Sequence, residues 1–260
     1  MMTKFPQLLV ALLALSLAGC AHRGVATAPD ARYWQNASQL VLVVTTDWNA
    51  DHGVLRRYER SNAGWHEAGA AEPVMIGHAG AAWGLGLHPL PQPGPIKREG
   101  DGRSPAGVFE IGEAFGYASQ ATTALPYRAL QASHYCVDVS GSPFYNRIVD
   151  ARIVGADAVA GSTEPMRRDL HADGDQRYRL GFVIDHNPHA QPMAGSCIFA
   201  HLWKSPSDAT TGCTAMDPGA MDRLLAWLRP GQHPVFVLLP KADYLRLKTA
   251  WRLPDVDGND

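Results

Sequence analysis

Short apolar runs, separated by glycine and proline, constrain the fold of this chain more than any other feature of its sequence. The 260 residues include 25 glycines and 19 prolines. Apolar stretches at residues 39–46, 178–185 and 235–239 are typical of strands. Because strands and helices do not alternate regularly, the pattern predicts a mostly-β domain, either a sandwich or a barrel, with a few short helices.

One helix is predicted with clear signals at both ends. Asp217 is a good N-cap, and Pro218 suits the first helical position. Apolar residues then recur at helical spacing from Met221 to Leu228, before Pro230 stops the pattern. We expect the apolar face of this helix to pack on the sheet.

The first twenty residues have the pattern of a targeting segment. Lys4 precedes an apolar stretch from Leu8 to Leu17, which is too short to span a bilayer. The tetrapeptide Leu-Ala-Gly-Cys, which ends at Cys20, resembles a bacterial lipobox. That resemblance implies a lipoprotein signal peptide over residues 1–19 and lipidation of Cys20. The alternative is an ordinary secretory signal followed by a chance cysteine.

On this interpretation the mature chain has three parts. Residues 20–38 are an Ala-rich lipidated tether, residues 39–240 a folded domain, and residues 241–260 a C-terminal extension that ends in an acidic tail. The protein would be anchored at the periplasmic face of the cell envelope, and Ala21 after the lipidated cysteine favours the outer membrane. A formal net charge of −2 without a basic stripe gives no sign of nucleic-acid binding. The oligomeric state is left open.

Four cysteines are present, namely Cys20, Cys136, Cys197 and Cys213. If Cys20 carries lipid and Cys213 carries chemistry, Cys136 and Cys197 remain in an oxidising compartment where disulfides persist. Both lie in apolar, strand-like runs. A Cys136–Cys197 disulfide and two buried reduced thiols therefore both remain open, because only geometry decides between them.

Cys213 and His201 are the candidate catalytic residues. His201 ends an apolar run, and a polar loop of Ser, Thr and Asp residues leads from it to Gly212 and Cys213. A nearby imidazole can hold a thiol as thiolate, which gives the nucleophile and base needed for acyl transfer. The alternatives are that Cys213 forms half of a disulfide and that His201 is only a packed histidine. The group that orients His201 is either a backbone carbonyl or Asp208. The residues assigned to the oxyanion hole and to ordering of the turn are Thr210, Thr211, Gly212 and Thr214.

Residues 39–240 resemble the catalytic domain of L,D-transpeptidases of the YkuD type. The hallmark of that family is a histidine, a spacer and Ser/Thr-x-Gly-Cys, which His201 and residues 210–213 match. Residues 100–109, with the sequence GDGRSPAGVF, are similar to the family's Thr/Ser-Pro-x-Gly-x-Phe segment. Residues 195–199 lead into His201 in the expected order.

This resemblance implies a cell-wall enzyme whose substrates are peptidoglycan stem peptides. Cys213 would attack the bond between the third, diamino residue and the fourth, D-Ala, and His201 would act first as base and then as acid. The thioester would pass to an amine, which gives a 3-3 crosslink or an attached protein. The alternatives are an L,D-carboxypeptidase or crosslink hydrolase with the same site, and a catalytically silent peptidoglycan-binding lipoprotein. No cofactor and no metal are predicted, since His186 and His189 lack the spacing of a zinc motif.

Two positions depart from the common Ser-His-Gly-Cys-x-Arg pattern of the family. Thr211 stands where the second histidine would be, and Ala215 where the arginine would be. These departures bear on the choice of stem peptide and acceptor more than on the reaction class. Arg103 is a candidate replacement for the lost anion contact. Trp83 and Trp203 are candidates for the substrate groove, with core packing as the alternative.

Overall fold

The computed structural model describes residues 1–2 and 34–256. The remainder of the predicted signal peptide, Cys20 and most of the predicted tether lie outside the described residues. In chain order the strands are β1 (Gln39–Thr45), β2 (His52–Ser61), β3 (Gly64–Glu67), β4 (Glu72–Met75), β5 (Ala81–Trp83), β6 (Ser104–Gly116), β7 (Tyr127–Ala129), β8 (His134–Cys136), β9 (Ile148–Asp150), β10 (Glu164–Pro165), β11 (Leu180–Ile184), β12 (Phe199–Leu202), β13 (Thr214–Met216) and β14 (Val235–Pro240). The helices are α1 (Ala151–Val154), α2 (Arg168–His171), α3 (Pro218–Trp227) and α4 (Lys241–Trp251), with 3-10 turns at Ala156–Val159, Arg177–Arg179 and Pro230–Gln232.

Eight strands close into a barrel. Their order is β1-β14-β6-β11-β12-β13-β4-β2, and β2 pairs back with β1. The pairs β1–β14 and β12–β13 are parallel, and the other neighbours in this ring are antiparallel. Closure pairs both edges of every one of these strands. The prediction of a mostly-β fold is confirmed, and the architecture is a barrel.

The helix after the Gly-Cys loop forms where the sequence predicts it. Asp217 Oδ1 accepts hydrogen bonds from the backbone N–H groups of Gly219 (2.8 Å) and Ala220 (3.3 Å) at the start of α3. Leu224 and Leu225, on the inward face of α3, are buried in the core. The chain that leaves the Cys213 loop through β13 is therefore anchored by a capped and docked helix.

At the N-terminal side, the domain begins before residue 39. Trp34 and Ala37 are buried, and Trp34 Nε1 donates to the Trp251 carbonyl at 3.2 Å. The two indole rings pack edge to face, with centroids 5.6 Å apart. The prediction of a tether through residue 38 is therefore wrong for residues 34–38, because burial of an indole ring fixes this segment to the core.

At the C-terminal side, the described part of the predicted extension, residues 241–256, belongs to the domain. Tyr244, Leu247 and Trp251 recur on one face of α4 and are buried in the main core. The Tyr244 hydroxyl donates to the Pro254 carbonyl at 2.7 Å and accepts from the Val256 N–H at 2.8 Å. The domain boundary at residue 240 is therefore wrong.

A small second sheet, ordered β10-β8-β9, lies beside the barrel. Its central strand carries Cys136, which stands opposite Glu164 in the β8–β10 register. A disulfide joins Cys136 to Cys197, with the two Cα atoms 5.9 Å apart, and so ties this sheet to the chain entering β12. The structure thus resolves the choice between disulfide and free thiols. Among the described helices, none is both long and apolar enough to cross a membrane.

Candidate active site

Cys213 lies at the start of a parallel strand pair. β12 and β13 run side by side with His201 opposite Ala215. Cys213 precedes Ala215 by two residues and therefore lies beside Phe199, whose backbone N–H approaches Sγ at 3.4 Å. Side chains two apart on a strand share a face, so His201 and Cys213 belong to the same face of the pair.

Two buried hydroxyl groups hold the turn that carries Cys213. Thr210 Oγ1 donates to the Cys213 carbonyl at 2.7 Å, and Ser104 Oγ donates to the same oxygen at 3.0 Å. Thr210 Oγ1 also accepts the Gly212 N–H at 3.1 Å, which removes that amide from the predicted oxyanion hole. At Gly212, with φ +152°, a Cβ atom would stand 3.1 Å from the Arg103 carbonyl oxygen. The tight approach of these two backbones favours glycine.

The other residues assigned to the turn have different surroundings. Thr211 is exposed beside the cavity that contains Cys213, whereas Thr214 is buried in β13. Ala215 is buried opposite His201, so no side-chain charge stands where the family pattern has arginine. Thr210 and Ser104 therefore order the turn that carries Cys213. Sequence reasoning missed Ser104, although it lies in the segment of residues 100–109 that is similar to the family.

Cys213 carries the free thiol among the described cysteines, and it is buried. Burial is the main cause that raises its pKa to about 12, and the negative charge of Glu164 adds to the increase. The hydrogen bond from the Phe199 N–H and the positive charge of Lys97 act in the opposite direction. Cys213 Sγ also lies 3.5 Å from the Cys197 carbonyl, to which it donates. At neutral pH the resting thiol is therefore protonated.

His201 is neutral and is not the hydrogen-bond partner of this thiol. Its Nδ1 donates to the Leu202 carbonyl at 2.8 Å, so a backbone carbonyl orients the ring. Burial lowers the His201 pKa to about 4. Its ring packs edge to face on Tyr178, with centroids 5.2 Å apart. Within the described chain, the hydrogen-bond partners of Cys213 Sγ are the Phe199 N–H and the Cys197 carbonyl.

Tyr178 and Glu164 stand next to the thiol, and sequence reasoning missed both. The Tyr178 hydroxyl donates to Glu164 Oε1 at 2.8 Å, and Arg168 Nη1 lies 3.2 Å from the same oxygen. Burial raises the pKa of the Glu164 carboxyl, against the influence of Tyr178 and Arg168. Glu164 lies in a polar stretch with no strand pattern, so only the pairing of β10 with β8 brings it to the site.

A cavity of about 420 Å³ opens beside the thiol. Its lining includes Cys213, Glu164 and Asp138, together with the buried Lys97, whose Nζ lies 2.5 Å from Asp101 Oδ1. The carboxylate of Asp138 accepts hydrogen bonds from Thr163. Charged groups of both signs therefore surround a space large enough for part of a peptide.

The three side chains assigned to a substrate groove lie elsewhere. The Arg103 guanidinium donates to the carbonyl oxygens of Trp48 and Ala81, at 2.9 Å each, so it holds loops together. Trp83 is fully buried in the core, and its ring packs edge to face on Trp48 at a centroid distance of 5.2 Å. Trp203 lines a separate depression next to Arg177. The groove assignments are therefore wrong, because none of the three side chains lines the cavity beside Cys213.

Burial lowers the pKa of each of three histidines to about 4; these are His88, His186 and His201. His186 uses both ring nitrogens inside its loop: Nδ1 accepts from the Leu85 N–H (3.1 Å) and Nε2 donates to the Ala194 carbonyl (2.9 Å). In the described part of the chain, no group of three or more His, Cys, Asp or Glu side chains is arranged to hold a metal ion.

The sequence matches no family model, and comparison with curated proteins and with solved structures gives no significant match. The barrel, the Cys213 turn and the motif are therefore the features that bear on function.

Proposed function

We propose that this chain is a cysteine acyltransferase of the L,D-transpeptidase type that acts on peptidoglycan stem peptides. The observation that carries the proposal is the buried free thiol of Cys213 on the wall of a peptide-sized cavity, held by the turn that matches the family motif. Thiols that form acyl intermediates need such a fixed position and access for a carbonyl carbon.

The reaction class follows from the chemistry of this site. Cys213 Sγ would attack the carbonyl carbon of the diamino residue, the C–N bond to D-Ala would break, and D-Ala would leave as the free amine. An acceptor amine would then take the acyl group from the thioester and release the Cys213 thiol. Because the Gly212 N–H is already bonded to Thr210, the backbone N–H of Cys213 is our choice for the oxyanion donor. The proposal includes the lipid anchor at Cys20 and a position at the periplasmic face of the envelope.

One observation favours a second candidate, a peptidoglycan-binding lipoprotein without catalysis. The Cys213 thiol is protonated at rest, and its hydrogen-bond partners do not include His201 among the described residues. A binding protein would keep the cavity without needing to ionise the thiol.

Muropeptide analysis separates these functions. The purified full-length protein is incubated with tetrapeptide-containing peptidoglycan, next to Cys213→Ala and to Ser207→Ala, an exposed control in the loop between β12 and β13. New 3-3 crosslinks that need Cys213 support transfer, and shortened stems without crosslinks indicate that water is the acceptor. Cosedimentation with peptidoglycan and no change that depends on Cys213 would reject the enzyme and support the binding protein.

A further inference from the structure

His78 stands beside the turn that carries Cys213. Gly77 and Thr210 form an isolated parallel bridge, so the residues that follow them, His78 and Thr211, are neighbours. The backbone N–H of His78 donates to the Thr210 carbonyl at 2.8 Å. His78 is exposed, and it lines the cavity that contains the Cys213 thiol. The wall of the candidate active site therefore carries an imidazole that the sequence motif does not include.

Two contacts fix the imidazole ring of His78. Its Nδ1 lies 3.1 Å from the Thr210 carbonyl oxygen. A carbonyl oxygen can only accept, so Nδ1 carries the proton of the neutral ring and Nε2 keeps its lone pair. At Gly102 a Cβ atom would stand 2.3 Å from Cε1 of this ring and 2.5 Å from Nε2. Because Gly102 has no Cβ, the ring lies directly against the main chain at this residue.

Two adjacent residues connect this ring to the Cys213 turn. Gly102 lies against the ring of His78, and the carbonyl oxygen of the next residue, Arg103, would stand 3.1 Å from a Cβ atom at Gly212. Gly102 and Gly212 line the same cavity as His78 and Cys213. Among the described residues, none is a hydrogen-bond partner of His78 Nε2. This nitrogen is therefore available to a group that enters the cavity.

We infer that His78 is the general base for the acceptor, and that its Nε2 takes the proton from the amine as the amine attacks the thioester on Cys213. The inference rests on the proposed function, since it takes that thioester as the intermediate. His78 contacts the acceptor nitrogen and is in this sense a catalytic residue of the second half of the reaction. His201, which the motif assigns to the thiol, does not line this cavity. An amine that enters through the cavity therefore meets the imidazole of His78.

Transfer to an amine needs such a base. A primary amine like that of lysine has a pKa of about 10.4, so only a small part of it is the free base at neutral pH. The nitrogen of the free amine becomes acidic as it bonds to the thioester carbon. A base within hydrogen-bond reach then speeds the step by about 10²–10⁴-fold, and imidazole is the side chain used most often. The carboxylates of Glu99 and Asp138 also line the cavity, and negative charge attracts a protonated amine.

The chemical steps balance. The lone pair of the amine forms the C–N bond with the thioester carbonyl carbon, and one N–H bond breaks as its proton goes to His78 Nε2. The C–S bond then breaks, and its electron pair stays on Cys213 Sγ. The proton passes from His78 Nε2 to Sγ. The amide product leaves, and both the neutral imidazole and the thiol are restored.

An acetyl thioester on Cys213 tests this role without any peptidoglycan. The full-length protein is treated with p-nitrophenyl acetate, and peptide mass spectrometry follows the acetyl group on Cys213 alone. Glycinamide is then added as the acceptor amine, and the decay of acetyl-Cys213 gives the rate of aminolysis. We expect His78→Asn to slow aminolysis about tenfold or more, while acetylation of Cys213 stays within about twofold of the wild type. The matched control His66→Asn, at an exposed histidine in β3, should change neither rate.

The choice of asparagine separates loss of the base from loss of the contact with the turn. The asparagine amide can still donate to the Thr210 carbonyl as Nδ1 of His78 does, but it has no counterpart of Nε2. Equal decay of acetyl-Cys213 in the wild type and in His78→Asn would overturn the inference. Slowing of acetylation and aminolysis together would likewise overturn it, because the variant would then disturb the thiol itself. Circular dichroism and urea midpoints confirm that each variant is folded, and His78→Gln replaces a variant that fails this check.

The dependence on acceptor concentration gives a second readout. We expect His78→Asn to be slower than the wild type at every glycinamide concentration. If more glycinamide restores the wild-type rate, His78 only binds the acceptor, and the inference is overturned. Crosslinking of peptidoglycan that needs Cys213 but survives His78→Asn would also reject this role, and it would leave the proposed function standing. Aminolysis of acetyl-Cys213 that needs His78, without any crosslinking of peptidoglycan, would support the role and reject the proposed substrate.

Discussion

Removal of the disulfide between Cys136 and Cys197 should cost the domain a large part of its stability. The two cysteines are 61 residues apart. Closing a loop of that size lowers the entropy of the unfolded chain by an amount worth about 4 kcal/mol at 25 °C in the chain-entropy treatment. A domain of this kind has about 5–15 kcal/mol of unfolding free energy in total. The double variant Cys136→Ala/Cys197→Ala should therefore be strongly destabilised.

Urea unfolding followed by circular dichroism measures this loss. The oxidised wild type, the double variant and Cys213→Ser are compared, since the last removes a thiol but keeps the disulfide. We expect a large fall in the unfolding midpoint for the double variant and a small one for Cys213→Ser. A loss below about 1 kcal/mol would refute the entropic reasoning, which requires that the loop be free in the unfolded chain.

The contacts around the barrel lead us to expect three further effects on the stability of the domain. Ser104→Ala leaves the buried Gly77 N–H and one bond to the Cys213 carbonyl unmade, and should lower the unfolding free energy by about 1–3 kcal/mol in urea titrations. Asp217→Ala removes the cap of α3 and should cost about 1 kcal/mol by the same assay, whereas the exposed Asp222→Ala should change little. The three buried histidines have pKa values near 4 when folded and 6.5 when unfolded, so the unfolded chain binds protons first as the pH falls. Stability should be full above pH 6.5 and decline toward pH 4 by about 1.4 kcal/mol per pH unit for each histidine, and a flat series of unfolding midpoints across that window would contradict this.

The sequence predicts the elements whose signals are local. The antiparallel pairing of β1 with β2, the buried strand β14 and the capped helix α3 each depend on residues close together in the chain. The C-terminal helix α4 was missed because its buried positions, Tyr244, Leu247 and Trp251, are spread among charged residues. Trp34 lies in a stretch without periodicity, and only its contact with Trp251 shows that it belongs to the core.

In the candidate site, too, the features with local sequence signals are predicted, and those that depend on long-range pairing are not. Cys213, Gly212 and Thr210 are close in sequence, and the turn they form follows from the residue types. The neighbouring carboxylate of Glu164 cannot be predicted in this way, because Glu164 reaches the barrel through the β10–β8 pairing.

The pairing of β8 with β10 connects the disulfide to the candidate active site. Cys136 stands opposite Glu164 in the small sheet, and Cys197 offers its carbonyl to Cys213 Sγ at 3.5 Å from a backbone with φ +56°. The bond between the two cysteines thus fixes the strand that carries Glu164 against the turn that carries Cys213. Left-handed φ is unfavourable for a non-glycine residue by about 1–2 kcal/mol, so Cys197 holds this conformation only while its surroundings enforce it. Reduction should therefore loosen the small sheet from the Cys213 turn before the barrel unfolds. Because burial and the charge of Glu164 raise the pKa of Cys213, alkylation of Cys213 at pH 7 should rise in reductant while the circular dichroism of the barrel persists.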